Sequence, residues 1–233
     1  MNWPGSTNRG TTLLRLLHQY EKDVLVKDDY VRWFVDDAAI QNADATRKSL
    51  EDESRPESQF QRIAYRYGIL REIFFDDLIE AAVQDGCRQL LLLGAGFDIR
   101  FLRLSTLREG HIQTFEVDMP ATIREKRAVL DFVRSALPTG TLLGFDCCSP
   151  LMLKENPLVP GIEFNIRRLN EIGEPCLFGR HMDDMRGWLG EKCYQNITIL
   201  DQRMLESSYL GTSTLPHYMW YVVSAKTSGS FAQ

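Results

Sequence analysis

The sequence lacks an excess of positive charge and has no long apolar segment near its start. Its 27 lysines and arginines are outnumbered by 32 aspartates and glutamates, so the formal net charge is −5. A protein with this balance has no overall basic field to attract nucleic acid or an anionic membrane. Residues 1–23 also lack the apolar core and the small-residue cleavage site of a secretory leader. We therefore expect a cytoplasmic protein that binds neither nucleic acid nor membranes.

The sequence also lacks the cysteine and histidine spacings that are typical of zinc sites. The four histidines are scattered and form no HExxH motif, and the cysteines form no CxxC pair. The five cysteines are Cys87, Cys147, Cys148, Cys176 and Cys193. We expect no metal centre, and we expect the cysteines to serve as small, buried or half-buried side chains in a reducing compartment.

Strand patterns alternate with helix patterns from residue 60 onward. Residues 60–86 predict one long amphipathic helix. The run RQLLLLGAG that follows is continuous, apolar and ends in glycine, which is typical of a strand buried on both faces of a parallel sheet. Further strand patterns occur at HIQTFEVD, GTLLGFD, NITILD and HYMWYVVSAK. This alternation predicts an open α/β sheet.

The chain before residue 60 has a different character. Leu13, Leu16 and Leu17 recur at helical spacing, which predicts a helix near the start. Residues 42–59 are polar, rich in charge and contain a proline, which predicts an exposed loop. We therefore predict a helical cap and exposed loop over residues 1–59 and an α/β domain over residues 60–233.

The glycine turn after the first predicted strand has the composition of a nucleotide-type site. Gly94 and Gly96 flank Ala95, and glycine lets the backbone approach a ligand closely. The N–H groups at the start of the next helix can then face a polar or anionic group. Glu116 and Asp118 lie 22 and 24 residues after Gly94, where a carboxylate can accept hydrogen bonds from ribose hydroxyls. A buried strand that only needs a tight turn would use the same glycines, and this alternative stays open.

The residues after the turn distinguish between two cofactors. The dinucleotide fingerprint has a third glycine, but this chain has Asp98 and Ile99 there. A carboxylate would repel a pyrophosphate, whereas it would attract the amino group and the sulfonium of S-adenosyl-L-methionine. The residues therefore favour S-adenosyl-L-methionine, and a nicotinamide-dependent oxidoreductase is the weaker alternative. Asp98 could also cap the helix that follows the turn.

The segments LLLLGAGFDIRFLRL and FEVDMPATIREKRAVL together resemble the leucine carboxyl methyltransferase family, the PPM-type S-adenosyl-L-methionine-dependent O-methyltransferases. They are most similar to its bacterial branch, whose pattern reads roughly LLGAGLDTR and then EVDxP; Ile99 replaces the usual threonine. The segment REIFFDD is similar to the family's RTRxFD helix, and Arg71 falls where the family's arginine grips the cofactor carboxylate. Arg71 could instead be a helix-surface arginine paired with an acid. Arg100 and Arg103 are expected to be structural partners of carboxylates.

The resemblance implies an α/β fold with a Rossmann-like class I methyltransferase sheet, mostly parallel, behind an N-terminal helical cap. Residues 60–233 would then form the domain that binds S-adenosyl-L-methionine. The cofactor-binding residues implied by the motifs are Arg71, Gly94, Ala95, Gly96, Asp98, Glu116 and Asp118. Either Glu116 or Asp118 could hold the ribose. The oligomeric state stays open.

One family element is missing from the chain. The family's EGVxxYL segment has no counterpart, because the Glu109–Gly110 pair precedes the second predicted strand. The sequence contains five strand patterns rather than seven, which predicts internal shortening by about two strands. One hypothesis is an O-methyltransferase that acts on a carboxylate or hydroxyl of a small molecule or peptide end. The other is a shortened, non-catalytic relative that serves as a binding or interaction module. No catalytic residue is assigned under either hypothesis.

Overall fold

The computed structural model describes residues 6–52, 54–94, 98–110, 112–117 and 140–228. The elements of the first half are α1 (Ser6–His18), a 3₁₀ helix (Val31–Phe34), α2 (Asp37–Ser49), α3 (Pro56–Gln84), β1 (Gln89–Leu93), α4 (Arg100–Arg103), α5 (Ser105–Glu109) and β2 (Gln113–Val117). The elements of the second half are β3 (Leu142–Cys148), a 3₁₀ helix (Pro150–Met152), α6 (Ile162–Glu171), α7 (Met182–Glu191), β4 (Tyr194–Asp201), α8 (Gln202–Leu210) and β5 (Trp220–Thr227). The predicted α/β class is confirmed, with five strands in the described residues.

The chain divides into two compact units. Residues 1–119 and 171–174 form the first unit, and residues 120–170 and 175–233 form the second. The predicted boundary after residue 59 lies inside the first unit, and the assignment of a separate cofactor-binding domain to residues 60–233 stays a prediction. Among the described helices, none is both long enough and apolar enough to cross a membrane.

Helix α2 occupies much of the segment that was expected to be an exposed loop. Residues 42–49 are helical, and only a short connection separates them from α3. The helix begins where the Asp36 carboxylate accepts a hydrogen bond from the backbone N–H of Ala39 at 2.7 Å. Lys48 and Asp44, four residues apart, form an ion pair at 2.6 Å. The polar composition of this segment thus belongs to a solvated helix face rather than to a loop.

Strand β1 is covered on one face only. It pairs in parallel with β2, with Leu92 opposite Glu116. Leu90 packs on a cluster contributed by α3, α5 and their flanking residues: Ile79, Val83, Leu104, Leu107 and Ile112. The other face is open, because Leu91, Leu93 and Phe115 are 36%, 39% and 44% exposed. The expectation that this strand is buried on both faces is therefore wrong for the described residues.

The second unit has its own three-stranded sheet, in the order β3-β5-β4. Strand β5 is antiparallel to both neighbours, so β3 and β4 run in the same direction and the central strand is reversed. Tyr221, Val223 and Ala225 of β5 are fully buried, and Met185 and Leu189 of α7 pack in the same core. The parallel pairing implied by the resemblance is thus observed for β1 and β2, whereas the described strands of the second unit pair antiparallel, which sequence periodicity did not predict.

A buried histidine organises the turn that follows α1. The Nε2 atom of His18 accepts hydrogen bonds from the backbone N–H groups of Leu25 at 2.8 Å and Val26 at 3.2 Å. Its Nδ1 atom lies 3.1 Å from the hydroxyl of Tyr65, which in turn donates to Glu21 at 3.1 Å. Because Nε2 accepts, the neutral ring must donate through Nδ1. Burial lowers the pKa of His18 below its ordinary value of 6.5, against a smaller opposite effect of Glu21.

We expect this histidine to make the protein less stable in mild acid. With a folded pKa below the unfolded value of 6.5, the unfolded chain binds the proton more readily, so stability falls as the pH drops through about 6.5 towards the folded pKa. One proton contributes a slope of at most about 1.4 kcal/mol per pH unit. Urea unfolding between pH 8 and 5 should show this loss, and His18→Gln should flatten the slope.

The control for this prediction is His181→Gln, which changes an exposed histidine. It should leave the pH dependence of the unfolding free energy unchanged. An identical slope in His18→Gln and in the unsubstituted protein would contradict the role of His18.

Candidate functional site

The structure places the first predicted site residue at the carboxyl end of β1. Gly94 has a φ of +65°, which lies in the left-handed region that favours glycine. Apart from its chain neighbours, no heavy atom of the described residues lies within 4 Å of the position that a Cβ would occupy there. Ala95 and Gly96 lie outside the described residues, so their part in the turn stays a prediction.

Strands β1 and β2 end at the same edge of their pair. Leu93 and Val117, the last residues of the two strands, are paired in the parallel register. The backbone of Glu116 lies in β2, opposite Leu92. Asp118 lies outside the described residues. The strand pairing thus brings the backbone of Glu116 to the edge that carries Gly94, and the choice between the two acids stays open.

Asp98 precedes α4, whose N-cap residue is Ile99. The Asp98 carboxylate accepts a hydrogen bond from the backbone N–H of Arg100 at 2.9 Å. The same carboxylate forms an ion pair with the Arg100 guanidinium. This pairing offsets part of the repulsion that Asp98 would exert on a pyrophosphate. The discrimination against a dinucleotide then depends more on Ile99, which is only 3% exposed at a position where the fingerprint carries small residues.

Arg100 is the centre of a buried ion-pair network. Its guanidinium contacts Glu72 at 2.6 Å and Asp76 at 3.0 Å, both of which belong to α3. Burial disfavours the charge of Arg100, but the attraction of Glu72, Asp98 and Asp76 raises its pKa above the ordinary value. Burial on its own would raise the pKa of Glu72. The attraction of the Arg100 charge nevertheless holds the pKa of Glu72 below the usual range. Arg100 and Glu72 therefore stay charged at neutral pH.

A second arginine completes this network. Arg103 contacts the Asp76 carboxylate at 2.5 Å and 2.8 Å through its two terminal nitrogens. A bidentate contact of this kind is geometrically specific. The expectation that Arg100 and Arg103 are partners of carboxylates thus agrees with the observed contacts.

Arg71 lies at the margin of the same network. Its guanidinium is 3.6 Å from the other carboxylate oxygen of Glu72, and its side chain is 24% exposed. The ion pairs therefore run continuously from Arg71 through Glu72 and Arg100 to Asp98. This network connects Arg71 and Asp98, two predicted site residues that are 27 positions apart in the sequence. The paired position agrees with the surface-arginine alternative, and cofactor binding by Arg71 stays a prediction.

Glu72 and Asp76 were missed by sequence reasoning. They are four residues apart, so they lie on the same side of α3. Both are buried, which for two acids requires positive partners. The sequence feature that could have identified these two acids is their four-residue spacing within a predicted amphipathic helix. Among the described residues, no three histidine, cysteine or acidic side chains are grouped as metal ligands, and the absence of a metal centre stays a prediction.

Comparison with known proteins identifies similar sequences. A sequence model described as leucine carboxyl methyltransferase matches residues 9–147, which is more than half of the chain. This match contains every predicted site residue.

Several bacterial relatives cover the same region. A protein of Mycobacteroides abscessus is 33% identical over 126 residues, which is 54% of this chain and 39% of that protein. A protein of Streptomyces coelicolor is 35% identical over 126 residues, 54% of this chain and 42% of its own length. A protein of Mycobacterium tuberculosis is 29% identical over 139 residues, 58% and 43% of the two chains. Each is named as a candidate S-adenosyl-L-methionine-dependent methyltransferase. The similarity thus spans about two fifths of the length of these relatives.

The buried network generates a stability prediction. Arg100→Gln would leave Glu72 and Asp76 in the interior with one cation fewer, so we expect a loss of about 3–5 kcal/mol in the free energy of unfolding. Arg108→Gln is the control, because Arg108 pairs with Glu109 at the surface and should change stability by less than about 1 kcal/mol. Chemical denaturation followed by circular dichroism measures both. Equal, small effects of the two substitutions would show that the network does not stabilise the protein.

Proposed function

The chain belongs to the leucine carboxyl methyltransferase family, and we propose that it is an S-adenosyl-L-methionine-dependent O-methyltransferase. Its acceptor would be a carboxylate or hydroxyl of a small molecule or of a peptide end. The observation that carries the proposal is the edge of the β1–β2 pair, where the left-handed Gly94 and the backbone of Glu116 lie together. The names of the bacterial relatives support the same cofactor.

The residues around this edge fit the chemical groups of S-adenosyl-L-methionine. Gly94 would let the backbone approach the methionine portion, since apart from its chain neighbours no described residue lies within 4 Å of the position of its missing Cβ. Arg71 has a partly exposed side chain, and its guanidinium would bind the cofactor carboxylate. Asp98 would attract the amino group of the cofactor. Glu116 or Asp118 would accept hydrogen bonds from the ribose hydroxyls.

The proposed reaction requires little from the protein beyond binding and orientation. The bound cofactor supplies an electrophilic methyl group on a sulfonium. A carboxylate acceptor is already ionised at neutral pH, so it needs no general base. The chain would accelerate transfer by holding the acceptor oxygen in line with the methyl group and by excluding water. A hydroxyl acceptor would in addition need a group that removes its proton. This difference favours a carboxylate, since no base has been assigned.

A non-catalytic binding module is the second candidate. One observation favours it: the sequence has no counterpart of the EGVxxYL segment. A module of this kind could keep the cofactor contacts of the glycine turn and lack an acceptor site.

Calorimetric titration tests the cofactor assignment. We expect the purified chain to bind S-adenosyl-L-methionine and to bind NADH at least tenfold more weakly. Loss of a charged hydrogen-bond partner costs about 1.5–3 kcal/mol, so replacing the ribose acid should weaken binding about 10- to 100-fold. Glu116→Ala and Asp118→Ala measured separately identify which acid this is. Asp77→Ala, an exposed acid on α3, is the control and should bind as the unsubstituted chain does.

Absence of binding by the folded, unsubstituted chain would exclude the proposed cofactor site. Tighter binding of NADH than of S-adenosyl-L-methionine would favour the oxidoreductase alternative instead.

Methyl transfer separates the enzyme from the binding module. We expect labelled methyl groups from S-adenosyl-L-methionine to appear on carboxylic acids or on peptides with a free C-terminal carboxylate. Methyl esters release methanol in alkali whereas methyl ethers do not, so an alkaline treatment distinguishes the two acceptor classes. Amidated peptides are the matched control and should accept no label. Tight cofactor binding without transfer to any acceptor of either class would favour the module.

A further inference from the structure

Two cysteines of the second unit lie close together without being bonded. The Sγ atoms of Cys148 and Cys176 are 3.2 Å apart, both side chains are half-buried, and neither cysteine is in a disulfide. A disulfide has an S–S length of about 2.05 Å, so a shift of about 1 Å would bring the sulfurs to bonding distance. We propose that Cys148 and Cys176 form a reversible disulfide, which makes this pair a redox modification site.

The backbone holds the two sulfur atoms in this position. Cys148 is the last residue of β3, and its carbonyl accepts a hydrogen bond from the backbone N–H of Arg180 at 3.1 Å. A Cβ on Gly179 would lie only 2.9 Å from the carbonyl oxygen of Ser149. The close approach of residues 176–180 to the end of β3 therefore depends on a glycine at position 179.

The pair is also specific among the cysteines of this region. Cys147 neighbours Cys148, but successive side chains of a strand point to opposite faces. Cys147 packs against the core that contains Tyr221 and Leu189. Cys147 thus has almost the same sequence context as Cys148 but a different structural environment. Cys147 therefore serves as the matched control for Cys148.

The chemistry is a thiol–disulfide exchange with a low-molecular-weight disulfide such as oxidised glutathione. One cysteine thiolate attacks the glutathione disulfide, forming a mixed disulfide and releasing one glutathione thiolate. The second cysteine displaces the remaining glutathione. Two cysteine sulfurs are oxidised, one glutathione disulfide is reduced to two thiols, and each released thiolate takes up the proton lost by a cysteine. The product ties the end of β3 to the segment before α7, across a separation of 28 residues.

The test is a redox titration of the full chain. Folded protein is equilibrated with graded mixtures of oxidised and reduced glutathione, alkylated and digested, and its peptides are analysed by mass spectrometry. We expect a linked pair of peptides that contain Cys148 and Cys176, and a fall from five free thiols to three. Dithiothreitol should restore all five. Thermal unfolding should shift to higher temperature in the oxidised form, because the link restricts the unfolded chain.

Substitutions test the geometric argument. Cys147→Ser should form the link as the unsubstituted chain does, whereas Cys148→Ser and Cys176→Ser should not. Gly179→Ala should lower the fraction of linked protein at a given glutathione ratio, because the added methyl group pushes residues 176–180 away from Ser149. The proposal is overturned if the folded chain forms no Cys148–Cys176 link in excess oxidised glutathione. It is equally overturned if Cys147 replaces Cys148 in the link, or if only mixed disulfides with glutathione appear.

Discussion

The buried guanidinium of Arg100 is the group on which the site-bearing part of the first unit depends. A buried cation is tolerated only when opposite charges and hydrogen bonds surround it. Glu72 and Asp76 provide them from α3, and Asp98 provides them from the residues that follow β1. One side chain thereby connects a 29-residue helix to the segment that leaves the first strand. The position of Asp98 and α4 relative to α3 follows from this network.

The same network assigns different tasks to the charged residues of the candidate site. The Asp98 carboxylate forms an ion pair with Arg100 and accepts a hydrogen bond from its backbone N–H, so part of its hydrogen-bonding capacity is already used within the protein. Arg71 lies at the margin, where its side chain is 24% exposed and its guanidinium contacts Glu72. Arg100, in contrast, is buried among three carboxylates. The two sequence motifs that contain these arginines do not reveal this difference.

Local patterns predicted the elements that have strong periodicity. The helix expected over residues 60–86 is observed as Pro56–Gln84, because its apolar positions recur at helical spacing over many turns. The composition of residues 42–59 predicts a loop, because this segment is polar, rich in charge and contains a proline, but residues 42–49 belong to α2. The apolar run of β1 was expected to be buried on both faces. A continuous run of leucines does not indicate how many faces are covered, and Leu91 and Leu93 are exposed.

The sequence by itself determined the family, the order of most helices and strands, and the glycine and acidic residues at the ends of the first two strands. These features follow from the spacing of residues along the chain, because that spacing decides both the local conformation and the similarity to family motifs. Tertiary structure alone decided that Arg100 joins α3, that one face of β1 is open, and that Cys148 meets Cys176. Burial, ion pairing and thiol proximity depend on residues that are distant in the sequence, and only the packed chain brings such residues together.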